Sequence, residues 1–393
     1  MKRYSKAEIK KVEKVLSSRL TNYWTGKENF FFEKEFSKYV GNRYSVSVSN
    51  GSVALELAVR ALNLKEDDEI IVTPRSFIIS ASCALNLGLK PIFADVDHNG
   101  NLSIDGILKV YNKKVKAIIV VHLNGWACDL DPIINFANKN QIYLIEDCSQ
   151  AHGAKYKGKP VGSFGDISIW SFCQDKIIST GGEGGMISTN NKKFWQQCWS
   201  YKDHGKNYQS VFNKKHRSGF RWLHTQLGSN YRMTEMQAAL GRFQLKHLDK
   251  QIKKRNQIAS IYINGLREFF YKDSFFKRPN FRCSQCLIKK ASKECKHCVH
   301  AFYRLNLFTS SKKIKLIKLI TELNKKNIKC GLGSCPEIYR EKIFKKLKIY
   351  PKKRLPNAKL LGETSLMFPI DPYYPLSKLR AEIKVIQKIL KNY

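Results

Sequence analysis

Between Tyr44 and Phe172 the sequence alternates short, β-branched apolar runs with stretches of helical character. This alternation constrains the fold more than any other feature. The runs are 44–50 (YSVSVSN), 69–74 (EIIVTP), 90–97 (KPIFADVD), 115–123 (VKAIIVVHL), 142–148 (IYLIEDC) and 167–172 (ISIWSF), and helical segments at 52–62, 77–88 and 131–140 separate several of them. Strands that are apolar along their whole length, with helices between them, are the pattern of a mostly parallel sheet buried on both faces. An α/β domain is expected. Farther along, one long helix is expected over 234–262, opening at the cap-like Thr234, followed by an irregular Pro- and Cys-containing stretch at 277–300. A strand (FYRLNLF), a helix over 312–327 and a last helix over 377–392 then read as a smaller α+β unit. The expected division is residues 1–255 for the large domain and 256–393 for the small one, with a Cys-rich insertion at 283–298.

A hydrophobic fraction of 43% excludes a disordered chain. The 70 basic residues outweigh the 32 acidic ones by +38, and 34 of the 70 fall in 251–393. They are mainly lysines spread over stretches such as 311–327 and 341–355, which read as helical. They do not form a stripe of arginines and aromatics, so a solvated surface is favoured over nucleic-acid binding. The first residues (MKRYSKAEIKKVEKVL) read as a charged amphipathic helix without the apolar core of a secretion signal. No apolar run reaches the ~18 residues of a membrane span. A cytoplasmic protein with reduced cysteines is expected, seven of them (Cys83, Cys128, Cys148, Cys173, Cys198, Cys330 and Cys335) needing no role beyond small buried residues.

Three segments carry chemistry. At 47–55 a strand ends in Ser49-Asn50-Gly51-Ser52 directly before a helix, where free backbone N–H groups and a glycine suit a phosphate. By itself this segment reads rather as an ordinary βα turn with a serine cap. At 142–154 a strand ends in Glu146-Asp147, with Gln150 and His152 just beyond. The carboxyl ends of such strands are where α/β sheets bind ligands, so Asp147 can face a cofactor. His152 reads as a structural or substrate-side histidine, because no second metal ligand is spaced to match it. At 167–189 a strand delivers Ser171 and then Lys176, followed by a glycine-rich turn. A lysine placed there is expected to be desolvated, with its pKa lowered toward reactivity. A phosphate cradle, a strand-end carboxylate, a reactive lysine and an aromatic, Phe77, opening a helix are together what pyridoxal phosphate (PLP) needs.

These segments resemble the DegT/DnrJ/EryC1/StrS family of sugar aminotransferases, which have the fold-type I architecture. The resemblance runs from about Asn22 to the C-terminus. It is carried by VTPRSFIISASCA, VVHLNGWACDLDPI, IEDCSQAHGA, FGDISIWSFCQDKIISTGGEGGM, GSNYRMTEMQAALGRFQL and LGETSLMF. It implies that Lys176 bonds the cofactor's aldehyde and moves the proton between cofactor and substrate carbons. It also implies that Asp147 pairs with the pyridine nitrogen, that Gln150 lies near the ring hydroxyl, and that Phe77 stacks on the ring. Gly51, Ser52 and Ser171 would hold the phosphate, and Asn230 would reach the phosphate of a neighbouring subunit in a homodimer. The implied reaction moves an amino group, from glutamate, to a keto sugar linked to a nucleotide, in amino-sugar and surface-polysaccharide biosynthesis. Two features depart from the family pattern: SNGSVAL replaces the usual SGTAAL, and SFCQDK the commoner SFHPTK. A branch that removes a hydroxyl has histidine at the position of Lys176, which argues against a PLP-dependent dehydratase. A non-catalytic polyanion-binding or regulatory protein on the same scaffold is the alternative from another class.

Cys283-x-x-Cys286 and Cys295-x-x-Cys298 stand eight residues apart, with His297 and His300 nearby. Four thiolates at this spacing suit a structural zinc ion, and a closed Cys₄ site leaves no open position for catalysis. His300 is better explained as the start of the small-domain strand.

Overall fold

The computed structural model describes residues 4–216, 218–270, 275–277, 297–310 and 316–393. Helices α1 (Lys6–Ser18) and α2 (Glu28–Val40) precede β1 (Tyr44–Val48) and α3 (Gly51–Ala61). Then come β2 (Glu69–Val72), α4 (Ile79–Leu85), β3 (Lys90–Phe93), α5 (Ile104–Val110), β4 (Val115–Val121), α6 (Leu130–Lys139) and β5 (Tyr143–Asp147). A two-stranded hairpin, β6 (Lys155–Tyr156) and β7 (Lys159–Pro160), leads to β8 (Ile167–Ser171) and β9 (Gly185–Thr189). Seven strands form one sheet in the order β1-β9-β8-β5-β4-β2-β3. Neighbours from β8 through β3 are parallel, while β9 runs antiparallel to both β8 and β1.

The continuous apolar runs have a plain cause. Alternate residues of each strand feed two separate cores, one on each face. Ile71, Ile118, Val120, Leu144 and Trp170 join α2, α5 and α6 in one core. Ile70, Val72, Ile119, Ile145 and Ile169 join α3, α4 and helix α7 (Lys192–Lys202) in the other. Phe32 and Phe36 of α2 are fully enclosed against Phe172, each contributing about 1.5–3 kcal/mol of apolar burial.

Two expectations need correction. The stretch over 234–262 is two helices, α9 (Glu235–Lys246) and α10 (Leu248–Gly265), after a short helix α8 (Tyr208–Phe212). Thr234 does cap α9, in a reciprocal capping box with Gln237. The break falls at His247, whose ψ of 2° leaves the helical range and lets Leu245, Leu248 and Ile252 all reach the first core. Within 341–355 only Lys342–Lys346 is helical, since Lys348 takes a φ of +58° that no helix continues through.

A third core gathers Ile258 and Tyr262 of α10 with the antiparallel pair β10 (Arg304–Phe308) and β11 (Ser365–Pro369). Helices Leu316–Lys325 and Leu376–Leu390 close it through Leu319, Leu323, Leu379 and Ile386. At the other end of the chain, Ser5 and Glu8 form the capping box of α1. Buried Glu8 then accepts from Gln244 Nε2 of α9 at 2.9 Å, and Gln244 Oε1 accepts from the Ser179 N–H at 2.9 Å.

Candidate functional site

The parallel strands end together at one edge of the sheet, and most of the expected site residues meet there. β1 runs into Gly51, the first residue of α3, whose N-cap is Asn50 rather than a serine; its Oδ1 accepts from the Val53 N–H at 2.9 Å. β8 delivers Ser171 beside it. A Cβ placed on Gly51 would lie 2.6 Å from Ser171 Cβ, so only glycine lets the helix start and the strand end approach so closely. Gly185 completes the corner from β9, paired with both Ser171 and Val48. The N–H groups that open the helix, Ser52 and the Ser171 hydroxyl are thus brought to one corner, the kind of donor set that suits an anion.

The segment after β8 leaves the sheet and returns. Phe172 donates to Gly184 O at 2.8 Å, and Gln174 to Gly182 O at 2.9 Å. The return needs Gly182 at a φ of +136°, where side chains do not fit. Lys176 sits on this excursion and is mostly buried. Its Nζ lies 3.4 Å from Tyr303 Oη and 3.3 Å from the Asp175 carboxylate. The expected fall in its pKa is not what the structure shows. Burial alone would lower it, but Tyr303 and Asp175 more than offset that and raise it above the usual lysine value.

Asp147 ends β5, buried, with Oδ1 accepting from the Ser149 N–H at 3.0 Å. Burial raises its pKa, against the hydrogen bonds from Ser149 and the charge of Lys176. Glu146 serves the scaffold instead, accepting from the N–H groups of Gly162, Phe164 and Gly165 and meeting His122 Nε2 at 3.0 Å. His122, Glu146 and Cys148 are close enough to hold a metal, but these hydrogen bonds already occupy the carboxylate.

Gln150 Oε1 accepts from the Asn124 N–H at 2.8 Å, and Asn124 O accepts from the Tyr303 N–H at 3.1 Å. Among the described residues, Asn124 Oδ1 is buried without a partner. Phe77 stands just ahead of α4 with 70% of its surface exposed, a large apolar face open to a flat ligand. His152 is structural in setting: it lies among Trp170 and Phe172, and burial pushes its pKa down to about 3. His300 is likewise buried, its Nδ1 accepting from the Phe302 N–H, with its pKa lowered to about 3 by burial. Asn230 is exposed and bridges to Asp203, while its neighbour Tyr231 accepts from the Ser49 N–H at 2.9 Å.

Three residues that sequence reasoning did not single out surround the lysine. Tyr303 donates to Asp175 Oδ2 and accepts from Arg304 Nη2 at 3.0 Å, and Arg304 stands 3.4 Å from Asp175. Asp175 adjoins Lys176, but Tyr303 and Arg304 lie about 127 positions away, beyond the reach of a local motif. Of the cysteine cluster, Cys283, Cys286 and Cys295 lie outside the described residues. Cys298 is described, its Sγ accepting from the Lys157 N–H at 3.3 Å.

The residues fit PLP: a cradle that a Cβ would fill, an open aromatic face, a strand-end carboxylate and a buried lysine within one edge. The comparisons with known proteins agree. The chain is similar to an aminotransferase from Psychrobacter cryohalolentis of known structure, with a TM-score of 0.94 and 42% identity, covering 99% of this chain and 98% of that one. It is 40% identical over 263 residues to GDP-perosamine synthase of Escherichia coli O157:H7, covering 65% of this chain and 69% of the relative. It is 35% identical over 273 residues to dTDP-3-amino-3,6-dideoxy-alpha-D-galactopyranose transaminase of Aneurinibacillus thermoaerophilus, covering 68% and 70%. The sequence model of one family matches residues 2–381, and the chain therefore belongs to the DegT/DnrJ/EryC1/StrS aminotransferase family.

Proposed function

We propose that this protein transfers an amino group from glutamate to the ketone of a nucleotide-linked sugar, using PLP held at the strand-end site. The observation that carries the reading is Lys176, mostly buried on the excursion after β8, within electrostatic reach of the Asp147 carboxylate. The named activities of the relatives support the nucleotide-linked substrate. When bound, PLP supplies an aldehyde for amine exchange and a protonated ring that accepts electrons from the substrate carbon. The chain's own residues supply the rest. Gly51, Ser52 and Ser171 would hold the phosphate by backbone and hydroxyl donors. Asp147 would pair with the pyridine nitrogen and stabilise a proton there, and Phe77 would stack on the ring. Gln150 would lie near the ring hydroxyl, and Lys176 would receive and return the proton at Nζ.

A homodimer is part of the reading, with Asn230 acting on the partner's cofactor. Its support is the exposure of Asn230 and of Phe220, Trp222 and Leu227, at 78%, 84% and 90%, on the same loop. A cytoplasmic site of action is in keeping with the absence, among described residues, of a helix long and apolar enough to cross a membrane. The division at 255/256 and a structural zinc ion on Cys283, Cys286, Cys295 and Cys298 rest on the sequence. Lysine at position 176 speaks against the dehydratase branch, and the family membership disfavours a non-catalytic polyanion binder.

The test is the absorbance spectrum of the purified protein before and after borohydride, beside Lys176→Ala. The expected result is a visible band that reduction fixes covalently on the peptide containing Lys176. A colourless protein that also ignores added PLP refutes the assignment.

A further inference from the structure

We propose that Tyr303 is a positioning residue for Lys176, holding its amine in place and protonated whenever that amine is not bonded to the cofactor, with Asp175 and Arg304 orienting the tyrosine hydroxyl. A phenol has one proton to give and two lone pairs to receive with. Here the single proton goes to Asp175 Oδ2, so what Oη can offer Lys176 and Arg304 is acceptance alone. Oη is therefore poised as a fixed acceptor aimed at a cationic amine. Arg304, 3.4 Å from Asp175 and 3.0 Å from Oη, closes the ring of contacts and keeps the tyrosine from turning away. Tyr303 itself is 6% exposed, and its backbone N–H is fastened to Asn124 O, so the acceptor belongs to a rigid part of the fold.

The remaining groups around Lys176 do not take over this work. Asp147 faces it electrostatically but is bound to Ser149 and, on the reading above, serves the pyridine nitrogen. His152 stays neutral to about pH 3 and offers no charge. Arg255, whose Nη1 donates to Phe302 O and Ile370 O, repels an ammonium rather than holding one. A cavity of about 390 Å³ opens beside the lysine, lined by Asp175, Gln251, Arg255, Asp371 and Tyr373 among others. An untethered Nζ has room to swing into it. The Tyr303–Asp175 pair thus decides where the free amine rests and how firmly it keeps its proton.

The inference rests on Lys176 being the reactive lysine, and it is tested without the cofactor. In the apoprotein, acylation of Lys176 by an amine-reactive ester is followed by mass spectrometry across pH, with an exposed surface lysine as internal reference. Acylation requires the free amine, so its pH midpoint reports the proton affinity of Nζ. In Tyr303→Phe, burial acts with less opposition, and the midpoint is expected to fall by about one unit, with ~10-fold faster labelling at a fixed pH below it. The holoenzyme is expected to lose kcat with little change in KM, and its pH profile to shift the same way. A purely structural tyrosine would leave the midpoint and the profile in place. An unchanged midpoint in a folded Tyr303→Phe overturns the proposal. If that variant does not fold, Tyr303→Leu, which also removes Oη and leaves the Asp175–Lys176 ion pair in place, carries the same criterion. Because the labelling needs no PLP, a negative result here is separable from failure of the borohydride experiment.

Discussion

Replacing Gly51 by alanine tests whether close packing at the sheet edge makes the cofactor site. The added Cβ would meet Ser171 Cβ at 2.6 Å, Oγ at 3.0 Å and the backbone Cα at 3.1 Å, whereas ordinary contacts begin near 3.4 Å. Helix α3 and strand β8 must therefore separate by about 0.8 Å, the difference between 3.4 and 2.6 Å. Overpacking of this kind costs about 1–3 kcal/mol. Alanine returns up to about 1 kcal/mol by its better helix propensity. A net loss of about 0–3 kcal/mol in apoprotein stability is expected. The phosphate donors on the two elements move apart by the same distance, which takes hydrogen bonds of about 2.9 Å beyond useful range. PLP affinity is expected to fall by about 10–100-fold, or ~1.4–2.7 kcal/mol. Urea unfolding of the apoprotein and absorbance titration with PLP measure the two effects separately. The double variant Gly51→Ala with Ser171→Gly removes the two shortest contacts, leaving only that to Cα at 3.1 Å, but also removes the hydroxyl. It should be no less stable than Ser171→Gly alone, while still binding PLP weakly. Wild-type affinity in Gly51→Ala, or a double variant as unstable as the sum of its parts, would refute the packing argument.

Acid should weaken the fold through two histidines. His152 and His300 are each held neutral by burial, with pKa values near 3. A histidine whose folded value lies below its unfolded one gives its full stability above about pH 6.5 and loses it as pH falls toward 3. Between pH 7 and 5 each is expected to cost about 2 kcal/mol. His152→Gln should flatten that pH dependence by the same amount in urea unfolding, and an unchanged slope would show that the imidazole is reached by protons in the native state. For the cysteine cluster, metal analysis of protein purified without chelator is expected to give one zinc per chain, lost in Cys295→Ser; a metal-free chain ends that reading.

The strands at 69–72, 115–121, 143–147 and 167–171 were legible because burial on both faces leaves no polar alternation to confuse the pattern. β9 was not, since GMIST is short and follows a glycine run that reads as a loop, and nothing local says that it turns back antiparallel between β8 and β1. The break at His247 carries no proline or glycine and follows from what Leu248 and Ile252 must bury. Asp147, Ser171 and Lys176 could be found because each ends or follows a recognisable strand. The setting of Lys176 could not. Its protonation is governed by Tyr303, whose approach depends on the small unit docking against Asn124, a tertiary fact with no local signature.

The bonds that finish the site also order its completion in time. The turn after Lys176 is fastened at Ser179 by Gln244, which in turn is held by Glu8, 236 positions earlier in the chain. Lys176 itself waits for a residue 127 positions later. During synthesis the strand end at Ser171 can meet Gly51 once residue 185 and the intervening strands have left the ribosome, yet the lysine, with only its neighbour Asp175 at hand, lacks the Tyr303 hydroxyl until residue 303 follows. A nascent chain therefore joins its helix start to its strand end well before it seats the amine on Tyr303, and the last quarter of the polypeptide supplies that second step.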